Sequence, residues 1–307
     1  MNDENRIARA ALTRMFTPDD DIARQLVARH GAHPAYRMAL RARPLFPFWN
    51  IPAEELSDGL DRWAPRPREL DTPIIEAELK AIKNLGGGFL VPGDEHWPEG
   101  LNDLPDAPYG LWYVGNIDQG IPAPHQAAAV TGSRDCTSYG AAVAGDMGHG
   151  LAQQGICVVS GLAYGIDTHA HRGALAGTTG EGPATIAVLA GGLDRVYPSG
   201  NADLAAAIKG TGLIVSEQPL RTAPTRRRFL ARNRIVAALA GVTCVVEART
   251  RSAAVNTAHH AETIARHVAA VPGSVHSAHS SACHALVKDG TAVLVSDAAD
   301  VAELLAN

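Results

Sequence analysis

The chain has 307 residues, enough for a full hydrophobic core and, at the usual domain size, for two domains. Its 46% hydrophobic and 19% charged content predicts an ordinary soluble globular protein, and the absence of any run of 18 apolar residues argues against a transmembrane helix. With 27 Lys and Arg against 32 Asp and Glu, the net charge is −5, so any nucleic-acid site must come from local clustering and not from the overall field.

The first ten residues, MNDENRIARA, lack the apolar core of a signal peptide. Residues 1–84 are rich in Arg, Leu and Pro and read as short helices joined by proline-marked turns. The segment Thr17-Pro18-Asp19-Asp20-Asp21 is a helix start, with a capping hydroxyl, an early proline and acids near the positive end. It predicts a helix over Asp21–His30 with Ile22, Leu26 and Val27 on one face, ended by Gly31. Leu45–Ile51 holds three aromatics, read as a small satellite core in preference to a base-stacking platform. Trp63–Arg68 (WAPRPR) approaches a linker, and Gly86-Gly87-Gly88 marks the expected boundary between a small N-terminal helical domain, 1–84, and a second domain, 85–307.

Beyond Phe89 strands and helices alternate. Apolar, β-rich runs stand at Ala127–Thr131, Ile156–Ser160, Thr185–Leu189, Leu213–Ser216, Thr243–Val246, Val268–Val271 and near Ala292–Val295. Ala-rich segments predict crossover helices at Tyr139–Gln153, Gly165–Ala176, Asn201–Ile208, Arg232–Leu239, Ser252–Ala265 and Ala282–Lys288. This alternation predicts an α/β fold, a Rossmann-like, mostly parallel sheet with helices on both faces. Runs such as CVVSG are apolar throughout, as strands covered on both sides should be. Four cysteines (Cys136, Cys157, Cys244, Cys283) are scattered, with no Cys-x-x-Cys and two of them in predicted strands; reduced thiols in a cytoplasmic protein are expected.

Several predicted strands end in small or polar residues: Gly132-Ser133-Arg134, Ser160-Gly161, Gly191-Gly192, Ser216-Glu217 and Glu247. In a parallel sheet these share one edge, where such folds place ligands. Gly132 lets the backbone approach a ligand, Ser133 offers a hydroxyl, and Arg134 offers a charged fork for phosphate. No G-x-G-x-x-G follows the first of these strands and no P-loop pattern is present, which disfavours a nicotinamide dehydrogenase or a nucleotide kinase. In SGLAYGIDTHAH, Asp167 reads as a helix cap and His171 as a packed or hydrogen-bonded residue, ahead of an acid–base pair or metal site. HSAHSSACH, from His276 to His284, fits no standard zinc spacing. No cofactor or metal is expected.

The strongest charge feature is Arg221–Arg234, RTAPTRRRFLARNR. It holds six arginines, with no acid between Glu217 and Glu247. Arginines bind phosphate oxygens by paired hydrogen bonds, and Phe229 among them offers a ring on which an unpaired base can stack. The competing reading is a solvated helix face.

With these residues in view the chain resembles the DNA-processing protein A family (DprA, also called Smf). The resemblance runs from about Gly93 to Val301 through GDEHWPEGLNDLPDAPYGLWYVGN, TGSRDCTSYG, SGLAYGIDTHAHRGAL, TIAVLAGGLDRVYPSGN, SEQPL, RRRFLARNRI, VVEA, VPGS and LVKDGTAVL. It implies an extended Rossmann fold, no catalytic turnover and binding of single-stranded DNA. Members protect incoming DNA and help load the RecA recombinase in transformation, usually as homodimers. The resemblance places the DNA-binding loop on Gly132, Ser133 and Arg134. It places a second basic element on Arg226, Arg227, Arg228, Phe229, Arg232, Asn233 and Arg234, and reads Gly165-Ile166-Asp167 and Ala170-His171 as cleft architecture.

The chain departs from the family pattern at Ser252-Ala253-Ala254, Ala265-Arg266, Ala282, His284 and Ala190. It ends at Asn307, so the expectation is a short form without the winged-helix module of many members. The alternatives are a nucleotide-binding module without a DNA role, against which the arginine run argues, and an enzyme on a related scaffold, a nucleotide-cleaving phosphoribohydrolase. That group has Pro-Gly-Gly-x-Gly-Thr followed by Glu, which neither VPGS nor LAGGLD supplies.

Overall fold

A computed structural model describes residues 3–41, 57–59, 72–180 and 182–306. The aromatic stretch at 45–51 and WAPRPR at 63–68 lie outside the described residues. The N-terminal region supplies α1 (Asp3–Met15), α2 (Asp21–His30), α3 (Ala32–Arg41) and α4 (Thr72–Asn84). Helix α2 has the expected bounds but not the expected cap. Asp20, not Thr17, accepts the Ala23 N–H at 3.1 Å, while Gly31 at φ +83° returns its N–H to the Val27 carbonyl.

The remaining elements are β1 (Gly87–Leu90), β2 (Leu111–Gly115), β3 (Ala127–Thr131), α5 (Ser138–Gln153), β4 (Cys157–Ser160), α6 (Ile166–Gly177), β5 (Thr185–Val188), α7 (Ala202–Thr211), β6 (Leu213–Ser216), α8 (Arg226–Ala238), β7 (Val242–Val245), α9 (Ala253–Thr263), β8 (His267–Ala270), α10 (Ser281–Lys288), β9 (Val293–Leu294) and α11 (Ala298–Ala306). One nine-stranded sheet holds them in the order β1-β2-β6-β5-β4-β3-β7-β8-β9. From β6 to β9 every pairing is parallel, while β1 and β2 add an antiparallel edge beside β6. The seven parallel strands coincide with the seven apolar runs, and the α/β Rossmann-like reading holds.

Strand alternation sorts the core. Ala128, Val130, Val158, Val242 and Cys244 face α5, α6 and α11, whereas Ala127, Ala129, Val159 and Val215 pack with Ile235 and Val236 of α8 and with Leu239 just after it. Helices α5 and α6 approach closely through three glycines. A Cβ added to Gly148 would lie 2.2 Å from the Ala170 carbonyl oxygen, one on Gly173 2.0 Å from that of Gly145, and one on Gly177 2.3 Å from that of His149.

The N-terminal helices share a cluster with the sheet: Leu12, Met15, Ile75 and Ile82 are buried together with Phe89, Trp112, Leu189 and Ile214. Polar ties follow the same path. Arg6 donates to the Phe89 carbonyl and to Asp94, Arg9 to the Tyr109 carbonyl, and the Trp112 indole to Thr13 Oγ1 at 3.4 Å.

Candidate nucleic-acid interface

The sheet order reverses between β3 and β7: the chain proceeds from β3 outward through β4, β5 and β6, then returns beside β3 with β7. Loops leaving the carboxyl ends of these two strands diverge and open a crevice. The loop after β3 carries Gly132, Ser133 and Arg134, and the loop after β7 carries Arg249 and Arg251. The first turn of α8 closes the third side. Together they line an open groove of about 690 Å³ whose walls include Arg134, Arg226, Phe229, Arg249 and Arg251.

The loop after β3 is braced by its backbone. Ser133 is buried; its N–H donates to the Glu247 carbonyl at 2.7 Å, and its carbonyl accepts the Ile166 N–H at 3.1 Å. Gly165, at φ +74°, leaves room for this approach, since a Cβ there would meet the Ser133 carbonyl at 2.2 Å. The Glu247 carboxylate accepts both the N–H and the hydroxyl of Thr137, at 2.9 and 2.6 Å, fixing the turn after Arg134. So anchored, Arg134 projects into solvent, with its guanidinium carbon 4.8 Å above the Phe229 ring.

Sequence reading began the arginine helix at Arg232; α8 begins at Arg226. Thr225 caps it, its hydroxyl accepting the Arg228 N–H at 3.3 Å. Arg226, Arg227 and Arg228 therefore crowd the positive end of a helix that has no acid in its first turn. Cations there oppose the helix dipole, at a cost of a few tenths to one kcal/mol each, which an anion bound at that end would offset.

The expected basic set divides three ways. Arg134, Arg226 and Phe229 line the groove with Gly132 and Ser133. Arg227 and Arg228 line a neighbouring groove of about 490 Å³ toward α1, with Arg227 paired to Asp19 and Arg228 Nη1 donating to the Ala223 carbonyl at 2.8 Å. Arg232, Asn233 and Arg234 are buried. Arg232 donates to the Val188 carbonyl and to Asn233 Oδ1, presses on the Gly161 backbone, and is shifted down to about 10 by burial. Asn233 Nδ2 reaches the Ala253 carbonyl (3.1 Å) and Asn256 Oδ1 (3.2 Å), tying α8 to α9. Arg234 is held between Asp106 (2.9 Å) and Glu217 (2.7 Å).

Two groove arginines escaped sequence reading. Arg249 is oriented by Asp135 at 2.8 Å and by His279 at 3.0 Å, and Arg251 is exposed just before the Ser252 cap of α9. Their signal was available: like Arg134, they follow a strand end in a chain whose strand ends share one edge.

Asp167 and His171 have structural partners. Asp167 accepts from Thr131 Oγ1 (3.2 Å) and from the N–H groups of Gly161 (3.1 Å) and Ala163 (3.2 Å). Thr185 spends its hydroxyl proton on the Val158 carbonyl, so His171 Nδ1–H donates to Thr185 Oγ1 at 2.7 Å and the buried ring is neutral. Burial, reinforced by the Arg232 charge, lowers the His171 pKa to about 3 from 6.5. Between those values the unfolded chain binds the extra proton, so stability falls as pH drops below about 6.5. At pH 5 the wild type should have lost about 2 kcal/mol more than a His171→Asn variant. Urea midpoints at pH 7 and pH 5 measure this, and parallel pH profiles would remove the role.

The model for the DNA recombination-mediator protein A family matches residues 88–306. The chain belongs to this family. It is similar to a putative DNA processing protein DprA of Mycobacterium tuberculosis (strain ATCC 25618 / H37Rv), 44% identical over 249 residues, covering 78% of this chain and 62% of the relative. The chain thus spans under two thirds of the length of this relative. An X-ray structure of DprA from Streptococcus pneumoniae superposes with a TM-score of 0.75 at 29% identity, covering 97% of this chain and 96% of that one. A DprA structure from Helicobacter pylori, described for its single-stranded DNA binding mode, gives a TM-score of 0.62 at 28% identity over 69% of this chain and 94% of that one. Among the described residues no helix is long and apolar enough to cross a membrane.

Proposed function

We propose that this chain binds single-stranded DNA, without chemical turnover, along the groove at the β3/β7 switch point. The observation that carries the reading is the gathering of Arg134, Arg226, Arg249 and Arg251 in one groove with Phe229, Arg134 lying over its ring, at the ligand edge of the sheet. Four guanidinium groups suit a run of phosphates, and the ring suits a base. Arg232, Asn233 and Arg234 position the helix and its neighbours from below; Ser133 sets the loop. In the cell the protein shelters incoming DNA in the cytoplasm and hands it to the RecA recombinase, a role that rests on family membership. It works as a homodimer. The half-exposed Val293 and Leu294 on edge strand β9 support that pairing. Residues 1–84 and 85–307 are two parts that complete one shared hydrophobic cluster.

A salt titration tests the interface. If each groove arginine neutralises one phosphate, log affinity for poly-dT falls against log salt by about 0.7 per contact. Arg134→Ala should weaken binding to all sequences alike and flatten that slope by about 0.7. Phe229→Ala should cost about 1–3 kcal/mol while leaving the slope unchanged. Wild-type affinity and slope in Arg134→Ala would remove the site. Release of free base from nucleoside monophosphates would favour the phosphoribohydrolase reading instead.

A further inference from the structure

Beside the groove stand two tyrosines to which neither the basic run nor the strand-end loops assign a role. Tyr197 is 49% exposed, and its ring centroid lies 5.7 Å from that of Phe229 at an interplanar angle of 55°. Tyr164, in the loop between β4 and α6, is also 49% exposed. Its hydroxyl reaches the segment just after Tyr197: a Cβ added to Gly200 would meet it at 2.6 Å. Two large rings half in water are poor core residues and good contact surfaces.

The chemistry next to them says what the contact is. Arg134 lies over Phe229 at 4.8 Å, one ring away from Tyr197, and Arg226 lines the same groove. A row of π faces beside a row of guanidinium groups matches a polymer that alternates aromatic and anionic groups, which is a nucleic-acid strand. The spacing narrows this further. Successive nucleotides of a duplex strand rise by about 3.4 Å. Rings 5.7 Å apart and tilted by 55° cannot follow that stack, so bases resting on them must be parted from one another. An unpaired strand can splay its bases in this way; a paired one cannot.

We infer that Tyr197 and Tyr164 are base-stacking residues that extend the site beyond Phe229 and select unpaired over paired strands. This rests on the DNA-binding reading above.

The test compares poly-dT affinity across salt for wild type, Arg134→Ala, Tyr197→Ala, Tyr197→Phe and Tyr164→Ala, with a melting curve for each. Tyr197→Ala should weaken binding roughly 5- to 150-fold with the salt slope unchanged, Tyr164→Ala should weaken it within the same range, and Tyr197→Phe should bind as wild type. Photo-crosslinking to a strand containing iododeoxyuridine should label Tyr197 and Tyr164 as well as Phe229. If Arg134→Ala weakens binding while both tyrosine-to-alanine variants bind as wild type and crosslinks stay on Phe229, this inference fails and the interface stands. If wild type binds no strand, or Arg134→Ala changes nothing, the DNA-binding reading itself falls. Should Tyr197→Ala melt early, the crosslinks and Tyr164→Ala still decide.

Discussion

Arg234→Ala is expected to destabilise the protein by about 3–5 kcal/mol, although this residue belongs to the same basic run as the groove arginines. Its guanidinium is 1% exposed and lies between Asp106 and Glu217, and Glu217 is itself buried. Removing the cation leaves a buried carboxylate without its counter-charge, and that uncompensated charge dominates the loss. Arg234→Met combined with Glu217→Gln should recover much of it, because both ends of the pair are then neutral. Urea midpoints at constant m-value read the result. Binding at a temperature where the variant is folded should be near wild type. An Arg234→Ala protein of full stability that no longer bound DNA would instead make Arg234 a contact residue.

Deleting residues 1–84 is expected to be the most damaging change of all. It strips Leu12, Met15, Ile75 and Ile82 from a cluster they share with Phe89, Trp112, Leu189 and Ile214. Each large apolar side chain so uncovered loses about 1.5–3 kcal/mol, and the four together lose about 6–12 kcal/mol, comparable to the 5–15 kcal/mol that holds a typical fold. The Trp112 indole also loses its Thr13 partner, and Asp94 its Arg6. Insoluble protein, or a broad non-cooperative melt, is the expected outcome. A sharp melt at the wild-type temperature with full poly-dT binding would establish 85–307 as an independent unit.

The seven parallel strands were legible because burial on both faces makes them continuous apolar runs of β-branched and small residues. Strands β1 and β2 were not. GGFL opens with glycines that signal a break, and its pairing partner LWYVG lies more than twenty positions away, beyond any local pattern. The start of α8 was missed because three arginines at a helix N-terminus run against the dipole, so local preference and tertiary placement disagree there. Arg134, Arg226 and Phe229 could be chosen from charge and position after a strand. Which other arginines are buried could not, since the acids that hold Arg234 come from residues 106 and 217. Ala265 shows the limit from the other side: its φ of +55° is a backbone state that the sequence, with no glycine there, does not announce.

The close glycine contact between α5 and α6 makes the groove sensitive to inheritance far from its walls. Helix α5 follows directly from the turn after Arg134, and α6 begins at the glycine that cradles Ser133, so the distance between these helices sets the loop's frame. At Gly148, Gly173 and Gly177 even a methyl group would strike a backbone carbonyl of the other helix, leaving no flexible side chain to yield. A random library screened for loss of strand binding should therefore return these three codons alongside the arginines. Their bearers would fail by a shifted scaffold with every groove side chain intact, and reversion to glycine should be the dominant rescue, because no side-chain change in the opposite helix removes a backbone carbonyl.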